Sequence, residues 1–189
     1  MTTIKSTTRC CNSCKETKTI EEFGFKNKAR GVRNYTCAAC SQNNSKNRRA
    51  RVRAYIESKR LSDESFTAAA MRLAIKPSLE ELKSYCIIEG SCWIWNRSSV
   101  KSGYGSYALK FGYGYGNVVV PAHRLAFYVF HGKISDVGGS VNRHSLVIDH
   151  TCGNRLCINP MHLEEVLQSE NVRRAFDYHC PGCNCYSAS

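Results

Sequence analysis

Asp149 to Asn171 reads DHTCGNRLCINPMHLEEVLQSEN, and its reading decides the fold. These 23 residues hold two histidines, two cysteines and four asparagines or aspartates. Asn159-Pro160 is a helix-start signal, with Asn as N-cap and Pro at the first helical position. The pattern predicts a helix from Pro160 to about Phe176, with Leu163, Val166 and Leu167 facing the core. At about 100° per residue, His162 and Asn171 then flank that apolar stripe from opposite sides. One ion could not easily use both, so the spacing points to two sites sharing one helix.

The first site is structural. Cys152-x4-Cys157-x4-His162 offers three soft ligands on a loop entering the helix, a zinc-like set that lacks a fourth member. Cys92 leads as the fourth ligand, ahead of Cys86, because it begins a strand, CWIW, expected to pair in the same sheet. The second site is chemical. His150 ends a strand, Asp149 precedes it and Asn171 projects from the helix. A neutral imidazole can deprotonate water, while a carboxylate and an amide oxygen suit a hard cation such as Mg²⁺. A satisfied strand-end histidine is the plainer alternative.

Working outward, SLVID reads as the strand leading into this stretch, and AHRLAFYVFHGKI as a buried helix with His123 and Arg124 at its start. YGSYALKF and NVVVPA are β-prone runs joined by the glycine-rich GYGYG, which suggests a hairpin. Further upstream, SDESFTAAAMRLAI reads as a helix capped by Ser62 or Asp63. A second helix starts at Pro77-Ser78, where Ser78 and Glu81 form a capping-box pattern. Cys86 fits a small core residue.

The N-terminal part is a separate module. Cys11-x2-Cys14 and Cys37-x2-Cys40, 22 residues apart, are a zinc-ribbon or treble-clef signal. Cys10 is the alternative to Cys11, though the spacing favours Cys11. Phe23, Phe25 and Tyr35 between the pairs supply a miniature core, too small to fold alone, so a metal would contribute most of the folding energy. After it, SQNNSKNRRARVRAYIESKR carries seven basic residues and one acidic, with Arg48, Arg49, Arg51 and Arg53 at its centre. It reads as a basic helix whose apolar positions are too sparse to bury a full face.

Charge and cysteine usage bound the function. The net charge is +12, but residues 1–60 hold 15 Lys/Arg against 4 Asp/Glu, and the remaining 129 residues are close to neutral. A basic N-terminal third on a near-neutral body suits a polyanion such as nucleic acid. No apolar run approaches a membrane span, and the polar start MTTIKSTTRCC has no signal-peptide character. The expectation is a soluble intracellular protein in a reducing compartment, where twelve clustered cysteines mean zinc rather than disulfides.

The series His150-x-Cys152-x4-Cys157-x4-His162-x8-Asn171 resembles the His-Cys box of homing endonucleases. AHRLAFYVFHG followed by VIDHTCGNRLCINPMHLEEVLQSENVRR resembles the wider HNH nuclease superfamily, particularly phage and intron-encoded members, over roughly Cys92 to Ala175. The resemblance implies an α+β fold with a ββα-metal nuclease core, two strands and a helix gripping one divalent cation. It makes His150 the general base, Asn171 and Asp149 ligands of Mg²⁺ or Mn²⁺, and Asn159, or else Asn154, the asparagine bracing the loop. Cys92, Cys152, Cys157 and His162 match a structural zinc site. The tail HCPGCNC resembles a second one, with Cys180, Cys183, Cys185 and His179 as ligands. Arg124 and Lys110 are candidates for a contact to the scissile phosphate.

The implied organisation is a zinc-ribbon-like module over 1–44, a basic arm and linker helices over 45–85, a nuclease core over 86–176 and a Cys-rich tail over 177–189. The implied protein is an endonuclease cutting double-stranded DNA with one Mg²⁺, held together by two or three zinc ions. It would act in the host cytoplasm if phage-encoded, and a homodimer is compatible with it. The rival reading is a non-cleaving zinc-dependent DNA- or RNA-binding protein on a nuclease scaffold.

Overall fold

In a computed structural model, the described residues are 7–62, 64–112, 115–135 and 142–179, with side chains placed as far as residue 175. The chain divides into two units, Met1–Arg51 and Val52–Ser189.

In the smaller unit, β1 (Thr8–Cys10) pairs antiparallel with β2 (Thr17–Thr19), and the turn between them holds Cys11 and Cys14. Lys15 takes a left-handed φ of 64° to close that turn. A 3-10 turn, Ile20–Glu22, follows with a capping box in which Thr19 N donates to Glu22 Oε2 at 3.1 Å. A second hairpin joins β3 (Phe25–Asn27) to β4 (Val32–Arg33). The chain then enters α1 (Ala38–Lys59), whose last two turns belong to the larger unit. Among the described residues of the small unit, Cys11, Phe23 and Cys37 are the buried ones. The expected three-aromatic core is therefore corrected, since Phe25 is 44 % exposed and Tyr35 61 %. Arg33 covers Phe25 at 4.0 Å and Arg9 lies 5.0 Å from Tyr35, so each ring stacks on a cation at the surface.

The larger unit packs helices against three separate hairpins. α2 (Phe66–Leu73) is capped by Ser65, whose side chain accepts from Ala68 N, and not by the expected Ser62 or Asp63. α3 (Leu79–Ser84) starts at Ser78, whose side chain accepts from Glu81 N. β5 (Cys86–Glu89) pairs with β6 (Cys92–Trp95), and β7 (Ser106–Lys110) with β8 (Asn117–Pro121), all antiparallel. Gly105 lets the chain pass over Trp95, because a Cβ there would sit 2.5 Å from the indole. α4 (Ala122–His131) runs through the middle and ends at Gly132 in the left-handed region, φ 76°. Its Leu125 and Ala126 join Val52, Ile56, Met71, Leu82, Leu109 and Ile158 in one apolar core.

β9 (Leu146–His150) enters the deciding stretch as a strand. The next element corrects the sequence reading. Asn159 does cap, accepting from Met161 N, but the turn it starts is a short 3-10 piece, Pro160–His162. Leu163 then adopts extended backbone, and Leu163–Leu167 forms β10, paired antiparallel with β9 from Leu163↔His150 to Leu167↔Leu146. LEEVL has good helix formers, but the open edge of β9 offers a full ladder and tertiary pairing outweighs local propensity. Helix α5 begins only at Gln168 and runs to His179, packing on both strands. His162 and Asn171 therefore lie on different elements, and the single-helix geometry expected for them does not hold. No helix among the described residues is long and apolar enough to cross a membrane.

Candidate active site

The loop between β9 and β10 is fixed before any metal is considered. Ile158 N donates to Trp93 O at 2.9 Å and Trp95 N to Leu156 O at 2.8 Å, tying the loop to β6. Thr151 N donates to His162 O at 2.9 Å, closing its base. These bonds bring Cys92, Cys152, Cys157 and His162 together, one ligand atom from each, all within 4.8 Å of one another. His162 Nδ1 lies 3.5 Å from Cys92 Sγ and 3.6 Å from Cys157 Sγ. A tetrahedral zinc site with bonds of about 2.0–2.3 Å has edges of about 3.6–3.8 Å, so the donor set fits that ion. Burial pushes the Cys157 thiol up to about 12 and raises that of Cys92, so the sulfurs need a cation among them to ionise. Cys86 stays outside, its thiol directed to Leu82 O.

In the smaller unit Cys11, Cys14, Cys37 and Cys40 converge in the same way. Cys37 N and Ser13 N donate to Cys11 Sγ at 3.3 and 3.4 Å. The Cys37 amide is the main cause that lowers the Cys11 thiol to about 6, with burial opposing. Cys10 lies apart, exposed, with its thiol toward Lys15 O.

His150 ends β9 as a buried residue. Its Nε2 is 3.1 Å from Cys157 O. A carbonyl only accepts, so Nε2 carries the proton and Nδ1 holds the free lone pair. Burial lowers the proton affinity of His150, with the Asp149 charge opposing, so the ring is neutral near pH 7. Two further rings pack about it. His123, from the first turn of α4, has its ring centre 4.7 Å away, and Tyr104 lies at 5.8 Å. His123 Nδ1 is buried without a hydrogen-bond partner among the described residues. Tyr104 escapes sequence reasoning, because it comes from a distant segment with no motif around it, whereas His123 is placed by sequence only at a helix start and not beside His150.

Asp149 accepts from His150 N at 2.7 Å through Oδ1 and from Arg174 Nη1 at 3.3 Å through Oδ2. Arg174 also holds Glu164 at 2.7 Å and Glu170 at 2.9 Å. Asn171 stands three residues before Arg174 on α5, hence on the same helix face. Its Nδ2 reaches Gln168 Oε1 at 3.4 Å.

Asn159 donates from Nδ2 to Ser91 O at 2.6 Å, joining the loop to the turn before β6, while Asn154 only closes its own turn at Leu156 N. Arg124 is partly buried on α4; burial lowers its proton affinity and the Glu165 charge opposes that. Lys110 is exposed at the end of β7, and Arg48, Arg49, Arg51 and Arg53 are exposed on α1. Cys180, Cys183 and Cys185 lie outside the described residues, as does the side chain of His179.

Residues 120–173 match the family model of the HNH endonucleases. The matched stretch takes in Asp149, His150, Asn159 and Asn171 together with His123, Cys152, Cys157 and His162. It leaves out Cys92 and the whole four-cysteine module. No curated protein and no solved structure gives a match to the chain.

Proposed function

We propose that the protein is a metal-dependent endonuclease that hydrolyses phosphodiester bonds in double-stranded DNA. The observation that carries this is the pairing of an HNH match with a buried, neutral His150 whose tautomer is set by Cys157 O. His150 Nδ1 takes a proton from the attacking water. The water oxygen bonds to phosphorus as the P–O3′ bond breaks, and the departing 3′ oxygen is protonated from solvent. The products are a 5′-phosphate and a 3′-hydroxyl. Asp149 and Asn171 would hold the divalent cation, Mg²⁺ or Mn²⁺, a carboxylate and an amide oxygen being the hard donors that such ions take. That cation, when bound, stabilises the charge on the scissile phosphate and on the leaving oxygen. Arg174 must yield Asp149 Oδ2 for this, and Glu164 and Glu170 keep hold of it. Asn159 keeps the loop, and with it the Cys157 carbonyl, in register. Two zinc ions at the cysteine clusters and a third at the tail would be structural and take no part in the reaction.

The test is end analysis. An end-labelled duplex is incubated with the zinc-loaded protein, with and without Mg²⁺. The expected result is magnesium-dependent cleavage leaving ends that a ligase rejoins directly. Cleavage that proceeds without any added divalent ion, or leaves 3′-phosphates, would contradict the mechanism.

A further inference from the structure

The middle of α1 is an exposed, basic helix. From Ser41 to Arg51 every residue is exposed except Ser45, which is half-buried. No acidic residue occurs between Glu22 and Glu57. At 100° per residue, Asn44, Asn47, Arg48 and Arg51 fall within roughly 100° of arc. They line a shallow groove on the helix surface together with Ala50. Lys46 and Arg49 lie on the opposite side. The groove face thus combines two amides, two guanidiniums and a methyl, while the opposite side carries Lys46 and Arg49 with one amide, Gln42.

Amides bond phosphates as well as bases, but Asn, Arg and Ala side by side on one face offer the donors, acceptors and methyl that base edges take. Asn pairs bidentately with the adenine edge, Arg with the guanine edge, and an Ala methyl packs on the thymine methyl. Those three residue types make up the Asn44–Arg51 groove. We propose that this face of α1 reads base edges in the major groove of the DNA duplex that the nuclease cuts, with Lys46 and Arg49 facing phosphates. The inference rests on the nuclease reading for its substrate. The major groove of B-form DNA is about 12 Å wide and admits a helix, whereas that of A-form RNA is too narrow. From Asn44 to Arg51 the helix rises about 10 Å, the length of about three base pairs. The subsite read would be of that size, with adenine and guanine as its determinants.

The test is selection from a randomised DNA duplex library by the full-length zinc-loaded protein, without added magnesium. Asn47→Ala and Arg48→Ala are compared with Lys46→Ala and Arg49→Ala, and alanine favours the helix in all four. The wild type is expected to enrich a motif. The first pair should lose about tenfold or more of the discrimination at one or two adjacent base pairs. The second pair should weaken binding to all sequences, leave the motif unchanged and lower the salt slope by about one. An unchanged motif in Asn47→Ala and Arg48→Ala overturns the inference, as does tighter binding to an RNA duplex. A wild type that cleaves with magnesium yet enriches no motif also overturns it while leaving the nuclease reading standing. A wild type that neither binds nor cleaves any duplex removes both.

Discussion

The two cysteine clusters present four donors each, in opposite surroundings. The four-thiol cluster of residues 11–40 is itself most of a core, since Phe23 is the only large apolar side chain buried with it. The Cys92 cluster sits beside an apolar core that runs from Val52 to Ile158 and includes Met71, Leu82, Leu109 and Leu125. A metal in the first would supply the folding energy of its unit. In the second it would only pin a loop whose neighbours are already folded. What that loop holds is the carbonyl that faces His150, so under the proposed mechanism the second cluster would bear on chemistry more than on stability.

Breaking each cluster in turn gives the largest contrast. Cys37→Ser, or a chelator, should unfold residues 7–40 and leave the larger unit intact, because a structural zinc is worth about 10 kcal/mol or more to so small a module. Cys152→Ser should instead leave the larger unit cooperative and lower DNA cleavage. Amide NMR spectra of the two variants distinguish these outcomes, and collapse of the larger unit in Cys152→Ser would erase the contrast. Next in size, Leu125→Ala should cost about 2–5 kcal/mol in urea unfolding of the larger unit, the usual range for a cavity in a closed core. A loss below 1 kcal/mol would mean that this core is not the foundation under the active site.

Asn159→Ala should cost less, about 1–3 kcal/mol, by leaving Ser91 O unpaired and removing the cap on the 3-10 turn. Its cleavage rate should fall more than its stability accounts for, since the Cys157 carbonyl moves with the loop. The smallest effect is on pH dependence. His123 is held neutral by burial, then by His150 and Arg124, and His150 mainly by burial. Their folded proton affinities lie below the ordinary value of 6.5, so the unfolded chain binds more protons once the pH drops under it. Stability should be flat above about pH 6.5 and fall below it, with a shallower fall in His123→Phe. Urea midpoints between pH 5 and 7.5 measure this, and an identical slope in the variant would contradict it.

The sequence was most legible where chemistry demands a residue type at a spacing. The two Cys-x2-Cys pairs, the choice of Cys92 over Cys86 and the Cys152–Cys157–His162 series all emerge as converging donor sets. The helix of residues 122–131 and the hairpin before it were also readable, from periodicity and from glycine. The error fell at LEEVL, where helix-prone residues pair as a strand because β9 has no other partner among the described residues. The cap at Asn159 was read correctly and the element after it was not, since a cap fixes where a helix can start and not how far it runs. Tyr104, Arg174 and the placing of His123 beside His150 were out of reach for another reason: each meets the site only through tertiary packing from another element.

Single-turnover cleavage of a DNA duplex by His150→Ala, compared with wild type at equal zinc content and equal DNA binding, tests the central claim most directly. With His150 as general base, the rate should fall by about 10²-fold or more while binding is retained. Cleavage by His150→Ala at the wild-type rate would contradict it.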